Sequence, residues 1–459
     1  MKKTSLKIVI FIIGLMLFIF GCEKDNGKNS ANEVQPSERQ LHSFSQGKVG
    51  FCNNSPTLVN DFVYIGTSRG TKYDIANDNA FYKLDQDLNK IWEYALGNIE
   101  VKGAATLDNM GNIYFVTGEG RNPDSTHPLT LKLFSLDNDG HFRWSKVILI
   151  YTPLPWIYDA DLRGISNPAV SIDNVIYVGG DKFYAFDHKG NELWSYTPAG
   201  NYDPMMNPIM TSPIIDPAGN IYFNADRRLI SLDKNGVNRW TTIRSFVISN
   251  ISSPAFSVDY TKIYIATYYN SVNQGITCFK TSDGSLEWNL TLPDMIDIHA
   301  FSREIRATPA VDDNNNIYIG THGSTSDDDK QTLYAIKSDG SGILWQNVIG
   351  SDLYCSPALG NDRVLYIGSE DYFSRNGKKR LHAIDMTTGK TIWTAQLQMD
   401  VTWSSPAISN NGTLYIASMD GYPDLTGMVY AFRTNSTGLL PNAGSPRFHE
   451  GNASTGRRE

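Results

Sequence analysis

Short apolar runs centred on a tyrosine recur along the chain at near-regular intervals. They are Val63-Tyr64-Ile65, Ile113-Tyr114-Phe115, Ile176-Tyr177-Val178, Ile221-Tyr222-Phe223, Ile263-Tyr264-Ile265, Ile317-Tyr318-Ile319, Leu365-Tyr366-Ile367 and Leu414-Tyr415-Ile416. Polar turn segments such as Asp216-Pro217-Ala218-Gly219-Asn220 and Asp312-Asp313-Asn314-Asn315-Asn316 come just before them. Asn, Asp and Gly suit such turns because they tolerate left-handed backbone angles and bond their own backbone. Ahead of each turn stands a small residue, usually followed by proline: Ser55-Pro56, Ala104-Ala105, Asn167-Pro168, Ser212-Pro213, Ser253-Pro254, Thr308-Pro309, Ser356-Pro357 and Ser405-Pro406. A third apolar run follows, as in Phe183-Tyr184-Ala185-Phe186, and a Gly-containing turn leads into a segment closed by tryptophan. β-rich runs with turn signals and no helical periodicity predict an all-β repeat.

The closing tryptophans are Trp92, Trp144, Trp194, Trp240, Trp288, Trp345 and Trp393, spaced by 52, 50, 46, 48, 57 and 48 residues. Four strands per period of that length predict propeller blades, and eight starts predict an eight-bladed β-propeller of four-stranded antiparallel blades. Tryptophan is a large apolar surface with one N–H, suited to the wedge between blades, so all seven read as structural docking residues. The series is one short. Leu41–Gly47 aligns with Ile91–Gly97 and puts His42 at or near the tryptophan position. Residues 40–46 are therefore predicted to form the outer strand of the last blade, which closes the ring and covers an open edge.

The chain ends add a destination. Lys2, Lys3 and Lys7 precede an apolar run from Ile8 to Phe20, too short for a confident membrane span, and Ile19-Phe20-Gly21-Cys22 closes it. Residues 1–21 read as a signal peptide, 22–39 as a lipidated Cys22 with a polar tether, 40–435 as the propeller and 436–459 as a C-terminal tail. Loss of the three lysines moves the formal net charge from −8 to −11. An acidic chain is a poor partner for nucleic acid or an anionic membrane surface, so membrane attachment is expected through the lipid alone. Cys52, Cys278 and Cys355 lie in no CxxC or CxxCH spacing, which leaves metal and haem attachment unsupported. Cys278 reads as a small buried residue. Cys52 and Cys355 each sit just ahead of a first strand, a placement compatible with a disulfide.

The segment Ala383-Ile384-Asp385-Met386-Thr387-Thr388-Gly389-Lys390-Thr391-Ile392-Trp393 resembles the blade-docking motif of pyrroloquinoline-quinone (PQQ) type propellers. Ser445-Pro446-Arg447-Phe448-His449 through Thr455-Gly456-Arg457 is similar to a segment flanking some of them, with Arg447 and a missing tryptophan as departures. The resemblance implies one of two branches. Quinoprotein dehydrogenases hold the quinone and calcium at the ring centre; BamB-like lipoproteins are non-catalytic. The dehydrogenases characteristically carry an adjacent cysteine pair and large insertions, and this chain has no Cys-Cys. The resemblance to a bacterial lipobox at Cys22 fits the lipoprotein branch, and Glu23 and Asp25 are similar to acidic surface-export signals of some lipoproteins. The expected location is the cell envelope, lipid-anchored to the outer membrane and facing either the periplasm or the outside.

Candidate chemistry is sparse. Asp327-Asp328-Asp329 and Asp312-Asp313 read as solvated acidic turns, and no Ser/His/Asp set or phosphate-cradling loop stands out. Loop length says more. The long segments, 68–80, 118–130, 146–165, 268–275, 289–306, 322–331, 370–380 and 419–428, all belong to one face of a propeller, the face where binding is expected. It carries Trp156, Tyr158, Asp159, Asp161, Arg163, Tyr268, Tyr269, His322, Tyr372, Phe373 and Tyr422, with Asn54, Arg306, Tyr354 and Trp403 nearer the axis. Aromatic and arginine residues mixed with acids suit a protein or glycan partner. The expectation is a non-catalytic scaffold with no cofactor that binds an envelope protein or polysaccharide through Trp156, Tyr158, Arg163, Arg306, Tyr354, Tyr372 and Trp403. The alternative is a PQQ-dependent dehydrogenase or electron-transfer protein with a central pocket.

Overall fold

The computed structural model describes residues 39–46, 50–51, 54–68, 78–119, 128–151, 166–200, 202–204, 208–242, 247–248, 252–269, 273–293, 305–321, 331–370, 379–399, 401, 403–419 and 426–458. Regular structure among them is built from strands, arranged as eight separate antiparallel sheets. Blade 1 runs Thr57–Val59, Phe62–Gly66, Asn79–Leu84 and Lys90–Gly97 from the inside outward. Blades 2 to 7 start from the inner strands Thr106–Leu107, Ala169–Val170, Ile214–Ile215, Ala255–Phe256, Ala310–Val311 and Ala358–Leu359. Blade 8 takes its inner three strands from Ala407–Ile408, Thr413–Met419 and Gly427–Arg433, and its outer strand from Gln40–Phe44 at the other end of the chain. The ring closes as the sequence predicts.

One joint repeats between blades. Each docking tryptophan packs on the central tyrosine of its own blade, with ring centroids 5.7 to 6.5 Å apart. Its far face covers a glycine in the third-to-outer turn of the next blade: Trp92 on Gly140, Trp144 on Gly190, Trp194 on Gly236, Trp240 on Gly284, Trp288 on Gly340 and Trp345 on Gly389. In five of these six joints, all but that of Trp288, the indole N–H donates into the same turn, as from Trp144 to the His188 carbonyl at 3.1 Å and from Trp345 to the Met386 carbonyl at 2.8 Å. Gly389 is doubly constrained, since its φ is +71° and a Cβ there would lie 2.5 Å from the Trp345 ring.

Two joints involve the N-terminal strand and differ. Trp393 meets no glycine turn, because the blade it faces is closed by the chain start; the Arg39 guanidinium lies 4.8 Å over its ring instead. His42 pairs with Ala431, the register that Trp393 has with Ala383 and Trp345 with Ala335. The smaller imidazole leaves room in the blade 1 turn for Leu88, which takes the left-handed position (φ +63°) and is buried where the other turns carry glycine. His42 Nε2 reaches Asp87 in that turn at 3.2 Å.

Around the axis the small residues ahead of each inner strand form a belt. The backbone N–H of Asn167, Ser212, Ser253, Thr308, Ser356 and Ser405 each donates to the hydroxyl of the next in line, ending on Ser55, over 2.8 to 3.1 Å. The belt stops at Ala104-Ala105, which have no hydroxyl; Thr57 bridges there by donating to the Ala105 carbonyl at 2.7 Å. Serines one residue earlier tie inner to second strands, as Ser404 does by accepting from Ala417 N–H at 3.0 Å. Cys355 occupies that same place in blade 7, its Sγ accepting from Gly368 N–H at 3.3 Å. It is a free thiol, so no disulfide joins it to Cys52, which lies outside the described residues. Cys278 is also a free buried thiol and sits opposite Trp288, where blade 1 places Lys83 and the other tryptophan-bearing blades place Ala or Ser. Burial pushes both thiols up to about 12, away from reactivity.

The C-terminal residues cross the opposite mouth of the ring and bond every blade. Asn452 accepts from Leu58 N–H in blade 1 and Ile408 N–H in blade 8; Thr455 from Val170 in blade 3; Gly456 from Ile215 in blade 4. The Ser445 hydroxyl accepts from Phe256 N–H in blade 5, the Ser445 carbonyl from Val311 in blade 6, and Pro446 from Leu359 in blade 7. Arg457 reaches Asn109 in blade 2. Arg447, the largest fully buried side chain, donates to the carbonyls of Pro56, Ser405, Gly451 and Asn452.

The joint geometry has two measurable consequences. Trp345→Ala should cost about 3–5 kcal/mol in denaturant unfolding, and Gly389→Ala about 1–3 kcal/mol from overpacking plus strain. At the eighth joint, His42→Trp alone should destabilise by collision with Leu88. Adding Leu88→Gly should restore much of the loss, and a double-mutant cycle with no coupling would show that the joint is misassigned.

Candidate functional site

Antiparallel blades put the inter-blade connections and the second-to-third-strand loops on one face. Most of the long loops there fall outside the described residues, including Trp156, Tyr158, Asp159, Asp161, Arg163, His322, Tyr372, Phe373 and Tyr422, as does Cys22 at the chain start. Tyr268 and Tyr269 end the second strand of blade 5, Lys262–Tyr269. The described part of this face is uneven. Blades 2 and 5 rise on long hairpins and each gains a fifth strand, Glu100–Val101 and Val247–Ile248. Blades 3 and 4 between them end in tight turns. In blade 4 Ala225 pairs with Arg228 across Asp226 and Arg227, both at positive φ, the two-residue hairpin geometry of a type I′ turn. At these turns Asp226 pairs with Arg228 at 2.9 Å and Tyr184 donates to Asp181.

At the axial mouth of the same face, three of the residues singled out from the sequence come together. Arg306, Tyr354 and Trp403 each stand two positions ahead of a belt residue, Thr308, Ser356 and Ser405. Ring closure brings their blades side by side. The Tyr354 and Trp403 rings lie 5.3 Å apart at 33°, and the Arg306 guanidinium sits 5.5 Å from the first and 5.4 Å from the second. These are cation–π distances. Tyr354 is buried, while Arg306 and Trp403 are half-buried. Trp403 holds a φ of +64°, an uncommon backbone region for a bulky side chain. Asn54 has another role: fully buried, it donates to the Val101 carbonyl at 3.2 Å and ties blade 1 to the fifth strand of blade 2.

Other mouth residues went unnoticed in the sequence. Lys102 stands in the position of Arg306 and Trp403 and is ion-paired with Glu100, both buried. Its place two residues before Ala104 was the available signal. Asp352 and Glu370 pair through their backbones in blade 7 and are buried at the same level. A quinone held with calcium needs several oxygens converging on one point. Among the described residues no group of three or more His, Cys, Asp or Glu side chains converges at this mouth. The one such group is Asp137, Asp139 and His141, at the outer turn of blade 2. There Asp137 already accepts the backbone N–H groups of Asp139 and His141, so the cluster is accounted for as a turn. Asp312 likewise caps its own turn and accepts from Tyr318, and Asp313 pairs with both terminal nitrogens of Arg363 at 2.7 and 2.6 Å. Asp327, Asp328 and Asp329 lie outside the described residues.

A buried Ser–His contact, Ser369 Oγ to His382 Nε2 at 3.0 Å, invites a nucleophilic reading. Both side chains are sealed in blade 7, and burial, helped by the Arg380 charge, pulls His382 down to about 4. The same place in blade 5 holds a Thr267–Thr277 bond. The contact is a repeat hydrogen bond between second and third strands.

Comparison with known proteins agrees with this architecture. The chain superposes on BamB from Moraxella catarrhalis with a TM-score of 0.55 and 16% identity, over 86% of this chain and 99% of that one. It superposes on a europium-containing methanol dehydrogenase with a TM-score of 0.61 and 13% identity, over 88% and 95%. The C-terminal WD40 domain of Sif2 gives 0.53 and 10%, over 86% and 99%. At these identities the likeness is one of fold. No curated protein sequence matches the chain. Residues 135–395 match the sequence profile of the PQQ-like family described as outer membrane protein assembly factor BamB. That match spans more than half of the 459 residues, and the chain belongs to this family.

Proposed function

We propose that the protein is a non-catalytic scaffold of the bacterial envelope, held to the outer membrane by a lipid on Cys22, that binds a protein partner through its long-loop face. The observation that carries this reading is the Arg306–Tyr354–Trp403 cluster at the axial mouth of that face. Holding a non-glycine residue in the left-handed region costs of order 1–3 kcal/mol, and such strain gathers at ligand-contacting positions. Tryptophan, tyrosine and arginine are also the residues that dominate binding energy in protein interfaces. The opposite mouth is crossed by the C-terminal segment, which leaves one face for contact. Family membership and the lipobox-like Ile19-Phe20-Gly21-Cys22 support the envelope location.

Trp156, Tyr158, Arg163 and Tyr372 would extend this surface outward from the axis. A glycan partner would use the same aromatic face. The dehydrogenase reading draws on fold likeness to a methanol dehydrogenase.

Capture from detergent-solubilised envelope, followed by affinity measurement on the recovered partner, tests the reading. Arg306→Glu and Trp403→Ala should each weaken binding about tenfold or more, as interface anchors do, with the melting temperature nearly unchanged. Full binding by both variants would place the interface elsewhere; loss of capture after glycosidase but not protease treatment would point to a glycan. Cys22→Ser should abolish lipid labelling and release the protein from membranes. Adding PQQ with calcium should leave the melting temperature where it was, and a clear upward shift with dye reduction by an alcohol would favour the dehydrogenase.

A further inference from the structure

The C-terminal segment carries an acid and a base side by side, His449 and Glu450, each 2% exposed. His449 faces the Pro213 carbonyl through Nε2 at 2.9 Å, so that nitrogen carries the hydrogen, a bond the neutral ring makes. Glu450 accepts the Ser445 hydroxyl at 2.7 Å. The charged and titratable neighbours are few. Arg447 has its guanidinium held by four carbonyls from blades 1 and 8 and from the segment itself. Arg458 stacks 3.6 Å over Tyr260 and donates to the carbonyls of Ser257, Val258 and Ala443. Asp216, in the neighbouring blade 4 turn, is occupied by the N–H groups of Ala218 and Asn220 and the Tyr222 hydroxyl.

Burial opposes charge on both residues. It pushes Glu450 up from 4.5 to about 7, against the Ser445 bond and the attraction of Arg458. It pulls His449 down from 6.5 to about 4, with the Arg447 charge adding to the effect and the bond to Pro213 opposing it. Detaching the segment returns both side chains to water.

We infer that the C-terminal segment is a pH-compensated clasp, whose release takes up a proton at His449 and gives one up at Glu450, so that its hold on the ring is steady across mildly acidic conditions. The raised acid stabilises attachment below pH 4.5, and that contribution fades as pH rises to about 7. The lowered base stabilises attachment above pH 6.5, and its contribution fades as pH falls to about 4. Between 4.5 and 6.5 the two slopes have opposite sign and equal size, one proton each. His382 titrates low as well but stays within blade 7 when the clasp opens, and so drops out.

Hydrogen exchange of residues 445–458 in the full-length protein, corrected for intrinsic rate and followed from about pH 5 to about pH 6.5, tests this. Wild-type protection should change by less than about threefold. Glu450→Gln leaves the base alone, and protection should fall about tenfold per pH unit on acidification. His449→Gln leaves the acid alone, and protection should rise by the same factor. A wild-type slope of tenfold per unit in either direction, or parallel slopes in the two variants, would overturn the inference. Where a variant does not fold, NMR titration of the wild-type side chains decides: midpoints at ordinary solution values for either residue would also overturn it.

Discussion

The structure depends on an indole lying flat on a backbone that has no side chain. A propeller blade is a twisted sheet, and two such sheets meet in a wedge that narrows toward the axis. Trp144 fills the wide end between blades 2 and 3, backed by Tyr114 and facing Gly190, and five other joints repeat that construction. Glycine is required because a Cβ would stand inside the ring contact and because the turn needs a positive φ at that residue. The hydroxyl belt works at the narrow end, where inner strands crowd too closely for large side chains. There a serine or threonine satisfies its neighbour's N–H without adding bulk. Rim and axis thus use opposite means, a large apolar plate outside and small polar bridges inside.

Much of this is legible in the sequence because it repeats. The tryptophans, the Ser-Pro starts and the tyrosine strands all recur at the blade period, and the register of Leu41–Gly47 is enough to place His42 in the missing position. The features that stayed hidden belong to one place only. Leu88 makes sense only beside an imidazole in place of an indole, a relation between two strands that no periodicity encodes. Arg447 reads in the sequence as a departure from a flanking motif, yet it is a buried hub between blades 1 and 8. Arg306, Tyr354 and Trp403 were each visible near the axis; their contact was not, because it arises from the angle between neighbouring blades.

The two faces of the ring differ in construction. The face of short turns is rich in aspartates that cap their own turns, such as Asp137, Asp187 and Asp233, and it is crossed by the C-terminal segment. Its polar groups are spent on local structure. The described part of the other face is uneven, with a fifth strand in each of blades 2 and 5, tight turns in blades 3 and 4, and an aromatic–arginine cluster at the mouth. The repeat itself carries no such individuality, and the same fold is found in BamB, a methanol dehydrogenase and a WD40 domain.

The outer strand of blade 8 carries an implication for how the molecule is made. Gln40–Phe44 leaves the ribosome long before its partner Gly427–Arg433. Until that partner has been synthesised, blade 8 is incomplete and blade 1 lacks its neighbour on one side. The growing chain is an open arc with a bare seam, exposed to wrong pairings until then. Ring closure is therefore a checkpoint on completeness: a chain cut short anywhere before Gly427 cannot hide that edge, and quality control need only sense an unpaired strand to find it.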